Sequence, residues 1–279
     1  MTAENNPLMS RPALGVVLAG GTGTRLLPAT RAVSKHLLPV YDTPMVRGAL
    51  SVLLLGGLRD IVIVTAAGDR AGYERCVGDG SEFGCRVRYA EQARPRGVAE
   101  ALLAARDAAD GRPLCVVLGD AFIWGAGVGP MVERAAAAVA SAPAPRAVAF
   151  AARVDDGRPF GVVRYDEAGR PTELAEKPRD AGPAWAVIGL YAYTADALDR
   201  ARTLTPSARG ELEITDLNRS YLERGELKIV RLPADARWRD VGTPDDLLAA
   251  SMIAAEHARR GERLGDLETI ARARGWIEN

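Results

Sequence analysis

Residues 14–39 read LGVVLAGGTGTRLLPATRAVSKHLLP. An unbroken apolar run, Leu14–Ala19, passes directly into a loop with glycines at 20, 21 and 23 and with Arg25 and Lys35 close behind. A short continuous apolar run of this kind suits a strand buried on both faces of a parallel sheet. The loop after it leaves many backbone N–H groups free, which suits a polyphosphate. An arginine fork and a lysine point charge suit two different phosphates.

The loop departs from two well-known phosphate binders. A P-loop needs a lysine directly after its last glycine, and none follows here. A dinucleotide fingerprint needs a third glycine where Leu26 stands, and Pro28 comes too soon for a long helix.

Outward from this loop, the first half alternates apolar strands with helical stretches. Strands are expected at 61–65, 86–90 and 114–118. A helix from Met45, with Met45, Ala49, Val52 and Leu53 on one side, should stop at Gly56-Gly57, with Thr43 as its cap and Pro44 at its first position. A second helix is expected over 97–109. This alternation implies a largely parallel sheet covered on both faces. The second half is richer in strands: 147–154, a hairpin of 162–165 and 172–175 around Asp166-Glu167-Ala168-Gly169, and 187–193. Helices should follow at 214–223 and from Thr243-Pro244-Asp245-Asp246, which has a cap, a proline and first-turn acids. The alanine-rich stretch at 135–144 reads as a helix end running into a loop. The reading is one continuous α/β core with an inserted β-rich lobe. Residues 1–12 form a lead-in, and 13–279 a single domain divided at about 145 and 245.

The 279 residues balance 36 basic against 36 acidic side chains, so no global basic field argues for nucleic acid. No apolar run approaches a membrane span, and the N-terminus lacks a signal peptide's apolar stretch. Cys76, Cys85 and Cys115 fit no CxxC pair and read as buried, reduced thiols of a cytoplasmic protein. Two histidines make a His-based zinc site a poor fit.

The opening motif, extended to LAGGTGTRLLPATRAVSKHLLPVYDTPM (18–45), resembles the sugar-1-phosphate nucleotidyltransferases, and among them the glucose-1-phosphate thymidylyltransferases. The likeness continues through LLGGLRDIVIV (54–64), GDGSEFG (78–84), VVLGD (116–120), FGVVRYDEAGRPTELAEKP (160–178), VIGLYAY (187–193), SARGELEITDLNRSYLERGEL (207–227) and WRDVGTPDDLLAAS (238–251). It implies a Rossmann-like mixed, mostly parallel sheet flanked by helices, with a β-rich sugar-binding lobe. It also implies transfer of a nucleotidyl group from a triphosphate, dTTP foremost, to a sugar 1-phosphate, glucose 1-phosphate foremost, with release of pyrophosphate. The substrate phosphate is already ionised, so no side-chain nucleophile or base is required.

By that resemblance, Asp120 and Asp240 hold Mg²⁺, while Arg25 and Lys35 face the leaving phosphates. Leu18, Gly20, Gly21, Thr22, Gly23 and Thr24 line the nucleotide, with Gln92 and Gly97 at the base. Lys177, Arg209, Glu176, Gly161 and Val187 face the sugar phosphate, together with Ala121 and Phe160. The last two stand where the family usually has Asn and Tyr, and Ile188 and Val241 stand where it usually has Thr. His36 often appears as Gln. Fewer polar groups in the sugar pocket would suit a less hydroxylated sugar or a cyclitol phosphate, with another triphosphate as an open alternative. A silent, nucleotide-sugar-binding paralogue is the non-enzyme alternative. The family commonly forms homodimers or homotetramers. Many members also continue past the position of Asn279 into a segment that helps build a second nucleotide site between subunits, so weakened feedback control is expected.

Overall fold

A computed structural model describes residues 11–141 and 145–278. In chain order it contains β1 (Leu14–Ala19), β2 (Pro39–Val40), β3 (Thr43–Pro44), α1 (Met45–Leu55), β4 (Asp60–Ala66), α2 (Arg70–Val77), β5 (Arg86–Gln92), α3 (Val98–Leu103) and α4 (Arg106–Ala109). Next come β6 (Leu114–Leu118), β7 (Ala121–Trp124), α5 (Val128–Ala140), β8 (Ala147–Val154), β9 (Gly161–Tyr165), β10 (Pro171–Glu176) and β11 (Ala184–Tyr193). The chain closes with α6 (Ala197–Arg202), α7 (Ile214–Leu222), β12 (Leu227–Arg231), β13 (Arg237–Asp240), α8 (Pro244–Arg259) and α9 (Leu267–Ala273).

Four parallel strands, β6-β1-β4-β5, form one half of a nine-stranded sheet. Val16 sits between Val62 and Val116 in register, and all three are buried. Successive side chains of β1 go to opposite faces. Val17 joins Leu50, Leu53 and Val132 on one face. Val16 and Leu18 join Ala99, Leu102, Leu217 and Tyr221 on the other. Burial on both sides is why these strands read as unbroken apolar runs. Each buried Val or Leu side chain contributes roughly 1.5–3 kcal/mol.

The sheet turns antiparallel at β11. The far half of β11 pairs with β6, Leu190 against Val117, and its near half pairs with β9, Trp185 against Val163. A register shift between Val187 and Tyr191 separates the two halves. The strands of the expected β-rich part, β8 to β11, therefore extend the same sheet. A separate ribbon pairs β7 with β13 and sets Asp240 opposite Ala121.

Three expectations need correction. Thr43 does not cap α1: it pairs with Val40 in a two-residue hairpin, and Pro44 takes the cap position. The free N–H at the buried helix start is instead satisfied by Leu38, whose carbonyl accepts from Met45 N at 3.0 Å. The helix expected over 97–109 is broken at Ala104 and Ala105 into α3 and α4. Of the three free cysteines only Cys115 is fully buried, while Cys76 and Cys85 are half-buried. By contrast, Thr243 caps α8 as expected, its hydroxyl accepting from Asp246 N at 3.2 Å. Residues 1–10 of the expected lead-in, and 142–144 of the alanine-rich stretch, lie outside the described residues. No helix among the described residues is long and apolar enough to cross a membrane.

Candidate active site

The carboxyl ends of β1 and β6 open onto the glycine loop and onto Gly119-Asp120, where open α/β sheets place ligands. Leu18 is the penultimate residue of the fully buried β1, and its carbonyl accepts from Gly119 N at 2.9 Å, fixing one loop beside the other. Gly23 and Thr24 begin a single 3₁₀ turn that carries Arg25. Thr30 ties the loop back on itself by donating to the Gly23 carbonyl at 2.8 Å.

Asp120 and Asp240 come from distant parts of the sequence and meet because β7 and β13 pair. Val241 N donates to the Asp120 carbonyl at 3.1 Å, directly beside the Asp240–Ala121 register pair. Lys35 Nζ forms an ion pair with Asp120 Oδ2, and both side chains are 14 % exposed. Burial opposes ionisation of Asp120, but Lys35 outweighs it and holds the carboxyl low. Burial, and then the Asp120 charge, push Asp240 up to about 7. Two carboxylates that resist ionising together are a hard-oxygen pair that a divalent cation would relieve. Among the described residues no cluster of three or more His, Cys, Asp or Glu is gathered, so further ligands would come from substrate phosphates and water. Arg25 reaches the same point: a Cβ on Gly242 would lie 2.5 Å from its Nη2 and 2.7 Å from Asp240 Oδ2.

A cleft of about 180 Å³ opens beside these groups, where β11 leaves β6 for β9. Arg25, Asp120 and Asp240 line one end. Ala121, Phe160, Gly161, Glu176, Lys177, Val187 and Arg209 line the rest. Glu176 is held by Thr215, whose hydroxyl donates to Oε2 at 2.5 Å, and by Arg209 at 3.3 Å. Arg209 also donates to the buried Glu213 at 2.8 Å, so its charge is partly balanced inside the protein. Lys177 is half-exposed and takes a left-handed φ of 45°, a strained conformation that cooccurs with functional sites. Phe160 meets Trp238 edge to face at 5.2 Å between centroids. Ile188 and Val241 are buried, at 1 % and 0 % exposure, so both act chiefly in packing.

A second cleft, of about 340 Å³, lies on the other side of the glycine loop. Gly21, Thr22 and Gln92 line it, with Thr30, Ser34 and Pro95. Gln92 ends β5 and is buried; its Nε2 donates to the Gly97 carbonyl at 3.2 Å and to Glu100 Oε2 at 3.0 Å. A Cβ on Gly20 would stand 2.9 Å from Gln92 Oε1, so a side chain there would press on the end of Gln92. Leu18, Gly20, Gly23, Thr24, Lys35 and Gly97 line neither cleft, although Lys35 is paired with Asp120 at the edge of the first. A larger hollow of about 560 Å³ near α1 and α2 lies away from these groups, and its Arg47 and Arg263 are paired with Glu268 and Asp42.

The sequence reading missed Glu100, Glu213, Thr215 and Trp238. The last three lie within quoted motifs, two or more residues from the positions singled out. Glu100 gives no sequence signal beyond a first-turn acid on a helix.

A fold of this kind, with two clefts flanking paired aspartates, an arginine and a lysine, defines a class that joins two phosphorylated substrates. The nucleotidyl transferase family profile matches residues 14–257. A glucose-1-phosphate thymidylyltransferase of Neisseria gonorrhoeae is 44 % identical over 264 residues, covering 94 % of this chain and 90 % of that protein. A solved Bacillus anthracis structure, described as a glucose-1-phosphate thymidylyltransferase in complex with sucrose, superposes with a TM-score of 0.78 at 35 % identity, covering 87 % of this chain and 95 % of its own. UDP-glucose pyrophosphorylase with bound UDP-glucose shares the fold, with a TM-score of 0.75 at 22 % identity over 88 % of this chain and 99 % of its own. The chain belongs to the nucleotidyl transferase family, in the branch of the glucose-1-phosphate thymidylyltransferases.

Proposed function

We propose that this enzyme transfers a thymidylyl group from dTTP to glucose 1-phosphate, releasing pyrophosphate and dTDP-glucose. The observation that carries the reading is the meeting of Arg25, Lys35, Asp120 and Asp240 between a glycine-loop cleft and a cleft containing Glu176 and Lys177.

In this reading dTTP lies over the glycine loop, with backbone N–H groups from Gly20 to Thr24 facing its phosphates and its base beside Gln92 and Gly97. The sugar phosphate lies towards Lys177, and Glu176 accepts sugar hydroxyl hydrogens. A phosphate oxygen of the sugar attacks the α-phosphorus. The bond from that phosphorus to the bridging oxygen breaks, and its electron pair leaves with pyrophosphate. Arg25, and Lys35 once drawn from Asp120, offset the charge on the leaving group. Asp120 and Asp240 would hold Mg²⁺, which supplies positive charge between the two polyanions. Exposed Tyr41, Leu248 and Met252, at 51 %, 62 % and 66 %, support a homo-oligomer. Free thiols fit a reducing, cytoplasmic setting.

The test is pyrophosphate release from dTTP, glucose 1-phosphate and Mg²⁺, with single omissions and Asp120→Ala as control. Release that needs all three and is lost in the variant supports the reading. A second reading, a less hydroxylated sugar or cyclitol phosphate, is favoured by the apolar Ala121 and Phe160 in the cleft wall. Weak release with glucose 1-phosphate and strong release with such a phosphate would select it.

A further inference from the structure

We propose that Glu100 is a specificity-determining positioning residue: it turns the Gln92 carboxamide so that its oxygen faces the base, which admits thymine and uracil and rejects cytosine. This rests on the reading of Gln92 as the residue that meets the base.

The orientation of the amide follows from its partners. Nε2 faces two groups, Glu100 Oε2 at 3.0 Å and the Gly97 carbonyl at 3.2 Å. A carboxylate and a carbonyl can only accept, so the amide nitrogen belongs on that side. A flipped amide would set Oε1 against two acceptors and leave its N–H groups without those partners. Oε1 is therefore directed the other way, over Gly20, beside Gly21 and Thr22 in the base cleft.

Glu100 is itself fixed. It is in the first turn of α3 and reaches back to the preceding loop, accepting from Arg96 N at 3.2 Å and Arg96 Nε at 2.7 Å. Burial opposes its ionisation, but the bonds from Gln92 and Arg96 outweigh that and hold its carboxyl below the usual range. It stays an acceptor, and the Gln92 amide stays turned.

An acceptor presented to a pyrimidine matches the N3–H of thymine or uracil. Cytosine carries a lone pair at N3, so two acceptors would face each other at the buried Gln92 amide. Sites of this sort reject the mismatched ligand strongly, because a polar group is left unpaired.

The experiment compares kcat/KM for dTTP, dUTP and dCTP in the full-length chain and in Glu100→Ala, Glu100→Lys, Glu100→Gln and Gln92→Leu. The unsubstituted enzyme should prefer dTTP and dUTP over dCTP by about a hundredfold or more. Glu100→Ala should narrow that ratio by about tenfold or more through KM, with kcat for dTTP little changed. Glu100→Gln, whose amide oxygen still accepts, should retain most of the ratio. Glu100→Lys places a donor opposite Nε2 and leaves only the Gly97 carbonyl to hold the amide, so it should narrow the ratio beyond Glu100→Ala, a result that loosening the loop would not give. It also keeps the test open if Glu100→Ala fails to fold. An unchanged ratio in both the Ala and Lys variants, with collapse in Gln92→Leu, would overturn the role of Glu100 and leave Gln92 as base reader. An unchanged ratio in Gln92→Leu as well would overturn the reading on which the role rests.

Discussion

Gly97 lies back to back with Leu212. Leu212 N donates to the Arg96 carbonyl at 2.8 Å, and the Leu212 carbonyl accepts from Ala99 N at 3.0 Å. A Cβ on Gly97 would stand 2.4 Å from the Leu212 oxygen. One strand of this contact carries the base-side loop, and the other lies between Arg209 and Glu213 on the sugar side. A single stretch of backbone pairing thus ties the two clefts together.

Gly97 has φ 109° and ψ 165°, a region open essentially only to glycine. Gly97→Ala should cost roughly 1–3 kcal/mol of stability from backbone strain alone. It should also raise KM for both the triphosphate and the sugar phosphate, because both loops must yield. Steady-state kinetics with each substrate varied in turn, alongside thermal unfolding, checks this. A rise confined to the triphosphate would show that the loops move independently.

Gly242 has ordinary backbone geometry, and the atoms nearest its absent side chain are the ends of Arg25 and Asp240. Gly242→Ala should therefore disturb the reacting centre rather than the fold. We expect kcat to fall by about tenfold or more, since small misplacements of positioned groups can cost up to a hundredfold. The unfolding midpoint should move little. A variant that loses stability and keeps kcat would contradict the arrangement.

His36 is sealed beneath Gly119, with Nδ1 facing the Tyr73 hydroxyl at 3.1 Å and Tyr73 donating to the Ala19 carbonyl at 2.9 Å. Burial, and then the Lys35 charge, push the imidazole from 6.5 down to about 3. Between those values the unfolded chain binds a proton that the native state refuses, so stability rises with pH across this window. It is fully present above about 6.5 and is lost as pH falls towards 3. Unfolding measured from about pH 6.5 to about pH 4.5 should lose about 2–3 kcal/mol through this group. His36→Gln should remove that part of the slope, and an unchanged slope would assign acid sensitivity to other groups.

The parallel half of the fold was legible because β1, β4 and β6 are buried on both faces and read as plain apolar runs. The ribbon of β7 and β13 was not, because Arg237-Trp238-Arg239-Asp240 has no apolar alternation and becomes a strand only through its partner. Thr43-Pro44 carries a true local helix-start signal, which a competing local hairpin with Pro39-Val40 overrides. At the candidate site, family motifs reached Asp120, Asp240, Arg25 and Lys177, which the fold gathers at one cleft. The motifs span Glu213 and Thr215 without singling them out and do not span Glu100; all three hold other side chains in place through contacts that no linear spacing displays.

Direct attack of the sugar phosphate on the α-phosphorus, with no side chain forming an intermediate, is tested most sharply by stereochemistry. The substrate is dTTP carrying sulfur on its α-phosphorus in one configuration, and the readout is the configuration of the dTDP-glucose analogue formed. A single in-line displacement across Asp120, Asp240 and Arg25 predicts inversion. Retention would require two displacements through a nucleotidyl-enzyme intermediate and would contradict the arrangement described.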